Sequence, residues 1–450
     1  VPPSPHSAEL GRFGAVPVGL YTGTIQYSIP IYELNNEYLS LPISLDYSSN
    51  GFIVDKLSSW VGYDWSLNAG GTITRYRKGK TDVPGIRYYQ DWYSLTTPGA
   101  KINFLENVLF SNRDLQPDMF VVNLPGYSFK FVFDNDGVPV TIPYTPVIIE
   151  TNSSGAYSYF HITTPDGVLY KFEVADATFP PGESSFCTAW HLSEIIHPTG
   201  KKITFTYSTS TIEQKVGIDR KVLLKVASGS DPGGACNCSE FKAQITTISN
   251  TISYLSQIDF EGLGKVIFEK GSGRTDAPFE YKLDKITVKN NSGATIKSFQ
   301  LNYQFPLRTG TYSCQICTTQ DVNYRMFLTS LNEQDKTGNN VKTYTFEYND
   351  LNNLPARFSY AQDHWGYFNG KYNNDIISIN DVPSNYQGIF SGHVGFSVNR
   401  ISDYLYARKG MLNKVIYPTG GYSTFEYDAN RNSSGIQVGG CRVLRTKSYP

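Results

Sequence analysis

The chain repeats one phrase. Leu192 opens the run LSEIIHPTGKKITFTY, and Leu412 opens LNKVIYPTGGYSTFEY. Both read as Leu, two variable residues, a hydrophobe, a Pro-Thr-Gly turn, then an alternating run that ends on Tyr. Looser copies begin at Leu255 (LSQIDFEGLGKVIFEK), Leu283 (LDKITVKNNSGATIKSFQLNY) and Leu328 (LTSLNEQDKTGNNVKTYTFEY). Self-similarity of this kind marks an array of one supersecondary unit. The alternation has period 2 and the turns carry Gly, so the unit is predicted to be a β-hairpin. The strands ending at Tyr207, Tyr303, Tyr348 and Tyr427 are then second strands, with first strands starting near Leu192, Leu283, Leu328 and Leu412. Such an array points to a scaffold or shell before it points to an active site.

Further hairpins are legible outside the repeats. PGYSFKFVFDNDGVPVTI puts Phe129, Phe131 and Phe133 on one face and turns at Asn135-Asp136-Gly137. FHITTPDGVLYKFEV does the same around Pro165-Asp166-Gly167 and aligns Val168, Tyr170 and Phe172. In the repeats, Ile203/Phe205/Tyr207, Phe299/Leu301/Tyr303, Tyr344/Phe346/Tyr348 and Phe425/Tyr427 share faces, which predicts a ladder of aromatics. A terminal Tyr packs its ring and can still send its hydroxyl to a neighbour or to water. Near the N-terminus, Trp60 and Trp65 flank Gly62, and Gly70-Gly71 follow. Large aromatics beside glycines suggest burial where another backbone approaches closely.

The predicted fold is all-β: an antiparallel hairpin array, as a twisted sheet or stacked sandwiches, with an N-terminal β-rich unit. That unit covers 1–117, with a loop-rich insertion from Arg77 to about Pro117 and a short helix near Trp92–Leu95. The array covers 118–350, interrupted at 226–252 by a small, polar loop containing cysteines. More hairpins follow over 351–450. GGCRVLRTKSYP breaks off inside a strand-like pattern, and the expectation is of a sheet that continues. Tyr and Thr abundance with 39 Gly and 24 Pro favours strands and turns, so helix is expected below roughly a tenth of the chain.

Net charge is −1, from 39 basic and 40 acidic residues without a basic run, which argues against nucleic acid as a partner. No apolar run reaches the roughly 18–20 residues of a membrane helix. VPPSPHSAEL contains no signal-peptide core. The six cysteines fit disulfides in an exported protein. Cys236, Cys238, Cys314 and Cys317 are the candidates. The same four could form a thiolate zinc site, although Cys-x-Cys is not the usual spacing, and unpaired thiols are the third reading.

Chemistry-bearing motifs are sparse. Asp134-Asn135-Asp136-Gly137 resembles half a calcium loop, but the twelfth position is Thr145, not Glu. Gly271-Ser272-Gly273-Arg274 is too short for a phosphate loop. The six histidines form no His-Glu-x-x-His, and no Gly-x-Ser-x-Gly elbow occurs. Asp363-His364-Trp365-Gly366 reads as a structural turn with a buried Trp365 rather than a metal or sugar-binding corner. Exposed aromatics could stack on surface glycans, but sheet packing is the simpler use of them. No catalytic, cofactor or metal residue is assigned.

Two stretches carry a family resemblance. SPHSAELGRFGAVPVGLYTGTIQYSIPIYE and LPISLDYSSNGFIVDKLSSWVGYDWSLNAGGTITR resemble the start of large exported Bacteroidetes proteins with Rhs/YD repeats. More distantly they resemble the SpvB-type N-terminal segment of toxin-complex B components. DHWGYFNG and YPTGGYSTFEYDAN…GGCRV fit the same family. The resemblance implies a hollow shell of spiralling hairpins that encloses or displays a C-terminal effector. It also implies export by the type 9 machinery to the cell surface or beyond, and partnership with the protein's own C-terminal region. The family's shell-cleaving aspartates match nothing here. The rival functions are a carbohydrate-binding adhesin, marked by an aromatic platform in a groove, and a hydrolase, marked by paired carboxylates in a cleft. A concave, polar inner sheet face would mark the shell.

Overall fold

The computed structural model describes residues 23–79, 81–82, 94–109, 116–134, 136–152, 156–223, 240–308, 312–314, 316–378, 384, 387 and 398–450. Of the described residues 54% lie in strands and 6% in helices, which gives the all-β fold expected of the composition. Three strands, β1 (Ile25–Asn35), β2 (Ser40–Ser49) and β3 (Trp65–Asn68), form a small antiparallel sheet of their own. The other strands join one large antiparallel sheet. It begins with β4 (Thr72–Tyr76), β5 (Met119–Leu124), β6 (Tyr127–Phe133), β7 (Pro139–Ile142), β8 (Ile148–Thr151) and β9 (Phe160–Thr163).

The array proper follows: β10 (Leu169–Phe179), β11 (Phe186–Ile196), β12 (Lys202–Leu223), β13 (Glu240–Phe260), β14 (Gly264–Gly271), β15 (Lys282–Asn290), β16 (Thr295–Gln304), β17 (Phe327–Gln334), β18 (Asn340–Tyr348), β19 (Leu412–Ile416), β20 (Tyr422–Arg431) and β21 (Gln437–Tyr449). Successive strands pair from β10 to β21, and β11 also pairs with β4. The sheet closes on itself where Thr178 and Phe179 of β10 pair with Asn250 and Ser249 of β13.

Each repeated phrase is one hairpin: β11–β12, β13–β14, β15–β16, β17–β18 and β19–β20. The two Pro-Thr-Gly turns share one geometry. At His197–Gly200 and Tyr417–Gly420 the Gly N–H closes an i→i+3 bond and the Gly takes a φ of +85° and +92°. This is a type I turn followed by a left-handed glycine, which suits the twist of the flanking strands.

A bulge recurs at each junction between units. Tyr207 pairs with Leu255, Tyr303 with Leu328 and Tyr348 with Leu412, and in each case the ladder shifts by one residue beside the pair. Phe172–Leu192 and Lys270–Leu283 repeat the pattern. The extra residue is the one after the Leu: Ser193, Ser256, Asp284, Thr329 or Asn413. The Ser193, Ser256 and Thr329 hydroxyls donate to the opposite carbonyls of Lys171, Thr206 and Asn302 at 2.8–3.0 Å. At these three positions a small hydroxyl residue after the Leu therefore fixes the bulge, and bulges increase local twist.

Two expectations need correction. The insertion after Arg77 contains a helix, α1 (Pro98–Leu109). Among its described side chains Ile102 and Leu105 are exposed and Phe104 is buried, and its start carries Pro98-Gly99, a pair that reads as a turn in sequence. The stretch 226–252 is not all loop, because β13 starts at Glu240 and pairs with β12 as far as Leu223. Its Ile and Thr residues favour strand despite their polar neighbours. Trp92 and residues 226–239, with Cys236 and Cys238, lie outside the described residues.

Candidate functional site

The centre of the array is not hollow. Residues 52–64 have almost no regular structure, yet Phe52, Val54, Trp60, Val61 and Tyr63 are buried. Together with the small sheet they form a plug inside the hairpins. Trp60 packs on Tyr254, Tyr63 on Phe327, and Trp65 on Phe346, with ring centroids 4.8–5.6 Å apart. The polar inner face expected of a shell is replaced here by an apolar one filled by the chain's own N-terminal part.

Irregular buried backbone must find partners for its N–H and C=O groups. Three buried arginines supply donors. Arg274 donates to the Ser58 carbonyl, Arg325 to that of Val54, and Arg357 to that of Asp55, at 2.8–3.3 Å. Arg274 is held in turn by Asp276 and Glu280. Burial pushes the Glu280 carboxyl up, against the pull of Arg274 and the Gln214 amide. Burial drives Arg325 down to about 9, with the neighbouring Arg357 adding to the effect.

The plug, with the residues that lead from it into β4, also completes the repeats. Gly71 and Trp60 carbonyls accept from the N–H groups of Leu192 and Leu283, and the Tyr47 hydroxyl accepts from Leu412 N–H. The opposite group of each Leu is taken from within its own repeat. The hydroxyls of Tyr207, Tyr303, Tyr348 and Tyr427 donate to the carbonyls of Leu192, Leu283, Leu328 and Leu412 at 2.5–2.9 Å. In these four units the terminal Tyr is thus a latch onto the opening Leu, whereas the unit opened by Leu255 ends on Lys270. Trp65 Nε1–H donates to the Tyr348 hydroxyl at 2.9 Å, joining plug and latch.

The predicted positions fall as follows. Trp60 and Trp65 are buried. A Cβ on Gly62 would meet Leu328 N at 3.1 Å, one on Gly70 the Phe205 ring at 2.8 Å, and one on Gly71 the Asn123 carbonyl at 2.6 Å. Asp363 is a turn holder, accepting from Trp365 N–H, Tyr367 N–H and the Ser402 hydroxyl. Gly366 completes that turn at φ +86°. Trp365 is 56% exposed, against the expectation of burial, because its ring lies on the backbone of Gly439 at the surface. Cys314 and Cys317 form a disulfide, so those two sulfurs are not zinc thiolates. Cys187 and Cys441 are free.

One constellation imitates a hydrolase. His191 Nε2 lies 3.0 Å from Asp176 Oδ2, and Ser253 is adjacent. However, Asp176 accepts from the backbone N–H of Ser253, and the Ser253 hydroxyl has no hydrogen-bond partner among the described residues. A nucleophile–base bond is therefore not made. The void beside these residues is about 40 Å³, room for a water rather than an acyl substrate. The pair lies between the neighbouring strands β10 and β11.

No family model matches the chain, and no curated protein matches it. Solved structures do show similarity. A TcdB2–TccC3 complex with Cdc42 covers 94% of this chain and 19% of its own, at 12% identity and a TM-score of 0.40. The Photorhabdus luminescens Tc holotoxin pore covers 95% and 19%, at 11% identity and a TM-score of 0.37. The N-terminal domain of the effector SpvB from Salmonella typhimurium strain LT2 covers 69% and 98%, at 11% identity and a TM-score of 0.32. The chain spans about a fifth of the length of the toxin chains it resembles. No helix among the described residues is long and apolar enough to cross a membrane.

Proposed function

We propose that this chain is a non-catalytic structural segment, the self-plugged end of a hairpin shell in a large exported protein of the Rhs/YD kind. The rest of that protein would enclose or display an effector, and type 9 export would carry it to the cell surface. One observation carries the reading. The N-terminal segment threads the array and caps the Leu N–H of three units, an arrangement that closes a wall and offers no reaction site.

The register of β21 supports continuation of the sheet. Tyr427 pairs with Val443, and Leu444 is the extra residue of a bulge beside the pair. Val443 thus stands where Leu opens each earlier unit. The next strand would pair with β21 and end on an aromatic latch. The test compares the 450-residue chain with one extended by the next two hairpins. The extension should raise the melting temperature and suppress association through β21. A monomeric 450-residue chain whose melting is unchanged by the extension would reject the shell reading, as would turnover of a glycan or ester substrate.

A further inference from the structure

A second open edge lies elsewhere, and it is built differently. Among the described residues, β12 pairs with β13 along one edge, while on the other edge β11 reaches only Lys202–Thr204. Two hollows lie along the edge thus left uncovered. One, about 730 Å³, is lined by Glu213, Gln214 and Lys215 and by the segment Thr275–Glu280. The other, about 570 Å³, is lined by Ser210–Glu213, Phe279 and Tyr281. The two share Glu213 and Phe279, and Phe279 stands between them 77% exposed. β12 gives consecutive residues to this groove, and β13 gives Thr247, opposite Lys215 at one end. A groove on a sheet face would meet every second residue, so this one follows the backbone edge.

The direction of the backbone agrees. The Lys215 carbonyl accepts from Arg357 Nη2 at 2.6 Å, so it points away from β13 into the larger hollow. The ladder runs without a shift from Thr211 to Lys215. By the two-residue period, the N–H and C=O of Thr211 and Glu213 point the same way. Their side chains are exposed on one face, whereas Ile212 and Gln214 are buried on the other.

We propose that the β12 edge from Ser210 to Lys215 receives an extended peptide strand of a partner, bonded to Thr211 and Glu213 and walled by Thr275–Tyr281. The partner strand carries a basic side chain. A residue directly opposite Glu213 on an added strand shares its face, where opposite charges attract. Apart from Glu213 the groove is charge-balanced: Lys215 is paired with Asp321, Arg274 with Asp276 and Glu280, and Arg357 stands near the same carboxylates. Phe279 and Tyr281 offer apolar cover to alternate residues. Six residues of strand span about 20 Å, so a heptapeptide fills the site.

The test uses fluorescein-labelled Thr-Val-Lys-Val-Thr-Val-Thr, a version with Glu in place of Lys, and one N-methylated at alternate amides, with the intact chain. The Lys peptide should bind, the Glu peptide roughly fivefold more weakly, the scale of an exposed ion pair, and the N-methylated peptide not at all. Hydrogen exchange should slow at the amides of Thr211 and Glu213. Glu213→Lys should reverse the preference. Phe279→Ala should weaken binding without moving the melting temperature. Failure of the Lys peptide to bind would mean that the charges merely guard the edge, and would overturn the proposal. So would equal binding of all three peptides, protection at β21 instead, or protection that grows with protein concentration alone, which would make a second copy the occupant.

Discussion

Tyr348→Phe isolates the contact between plug and array. The substitution keeps the ring and its packing, so no cavity opens. It removes one oxygen that both accepts from Trp65 Nε1–H and donates to the Leu328 carbonyl. Trp65 is fully buried, so its N–H is left without a partner. Each buried group stranded in this way costs about 1–3 kcal/mol, giving about 2–6 kcal/mol for the two. Tyr303→Phe is the internal control. Its hydroxyl donates to the Leu283 carbonyl, and the same reasoning gives about 1–3 kcal/mol for the single group stranded. Urea unfolding of both variants, with unchanged m-values, reads the difference. Trp65→Phe in the Tyr348→Phe background should be less damaging than alone, by about 1 kcal/mol, because the stranded donor is gone. If Tyr348→Phe costs no more than Tyr303→Phe, or if either costs less than about 0.5 kcal/mol, the latch reasoning is wrong.

Three further outcomes are expected. Burial holds the hydroxyls of Tyr207, Tyr303, Tyr348 and Tyr427 well above the ordinary tyrosine range and pushes Tyr170 up to about 12. An unfolded tyrosine titrates near 10, so above that pH the unfolded chain releases protons that the folded chain keeps. Stability then falls with rising pH, by about 1.4 kcal/mol per unit for each latch. Tyrosinate absorbance should show a fraction that ionises only as the β-sheet signal is lost, and ionisation of all 33 Tyr near pH 10 with the sheet intact would contradict this. Arg75 and Asp118 form a buried pair at the base of the insertion, with Asp118 also accepting from the Lys78 and Asp82 N–H groups. Arg75→Met should cost about 3–5 kcal/mol, and adding Asp118→Asn should recover part of it in thermal unfolding; no recovery would argue against a stranded charge. Peptide mapping should find Cys314 linked to Cys317. Cys441, whose thiol burial pushes up to about 12, should alkylate only on unfolding, and labelling as fast as Cys187 in the native state would refute its burial.

The hairpins were legible because each signal is local: period-2 alternation, a Gly turn, and an aromatic at the end. The burial of Trp60 and Trp65 was legible from the glycines around them. What they touch was not. Trp65 meets Tyr348, 283 residues away, and nothing near either residue announces the other. The bulge had a signal that went unread, namely the small polar residue after Leu in five of the phrases. Arg274 illustrates the reverse case. Its Gly-Ser-Gly setting invites comparison with a phosphate loop, whereas the side chain is an anchor for the plug, satisfied by Asp276, Glu280 and the Ser58 carbonyl. Only the fold reveals that residues 54–58 need donors.

The plug changes how such an array must behave. In a simple repeat protein each unit contacts its neighbours, and stability is close to a sum of unit and interface terms. Here the opening Leu of a unit is satisfied from two directions. Its carbonyl is bonded by the unit's own Tyr, 15 or 20 residues on. Its N–H, in the units opened by Leu192, Leu283 and Leu412, is bonded by the N-terminal segment, in the last case across 365 residues. A unit can form its hairpin alone, but it cannot satisfy its Leu alone. The array and the plug therefore stabilise each other, and loss of either strands buried groups at several levels at once. Contacts of such long separation also slow folding, because loop closure must precede the reward. The segment synthesised first can finish folding only when β19 is in place. The array and the plug then become a single cooperative structure, as the proposed sealed end would require.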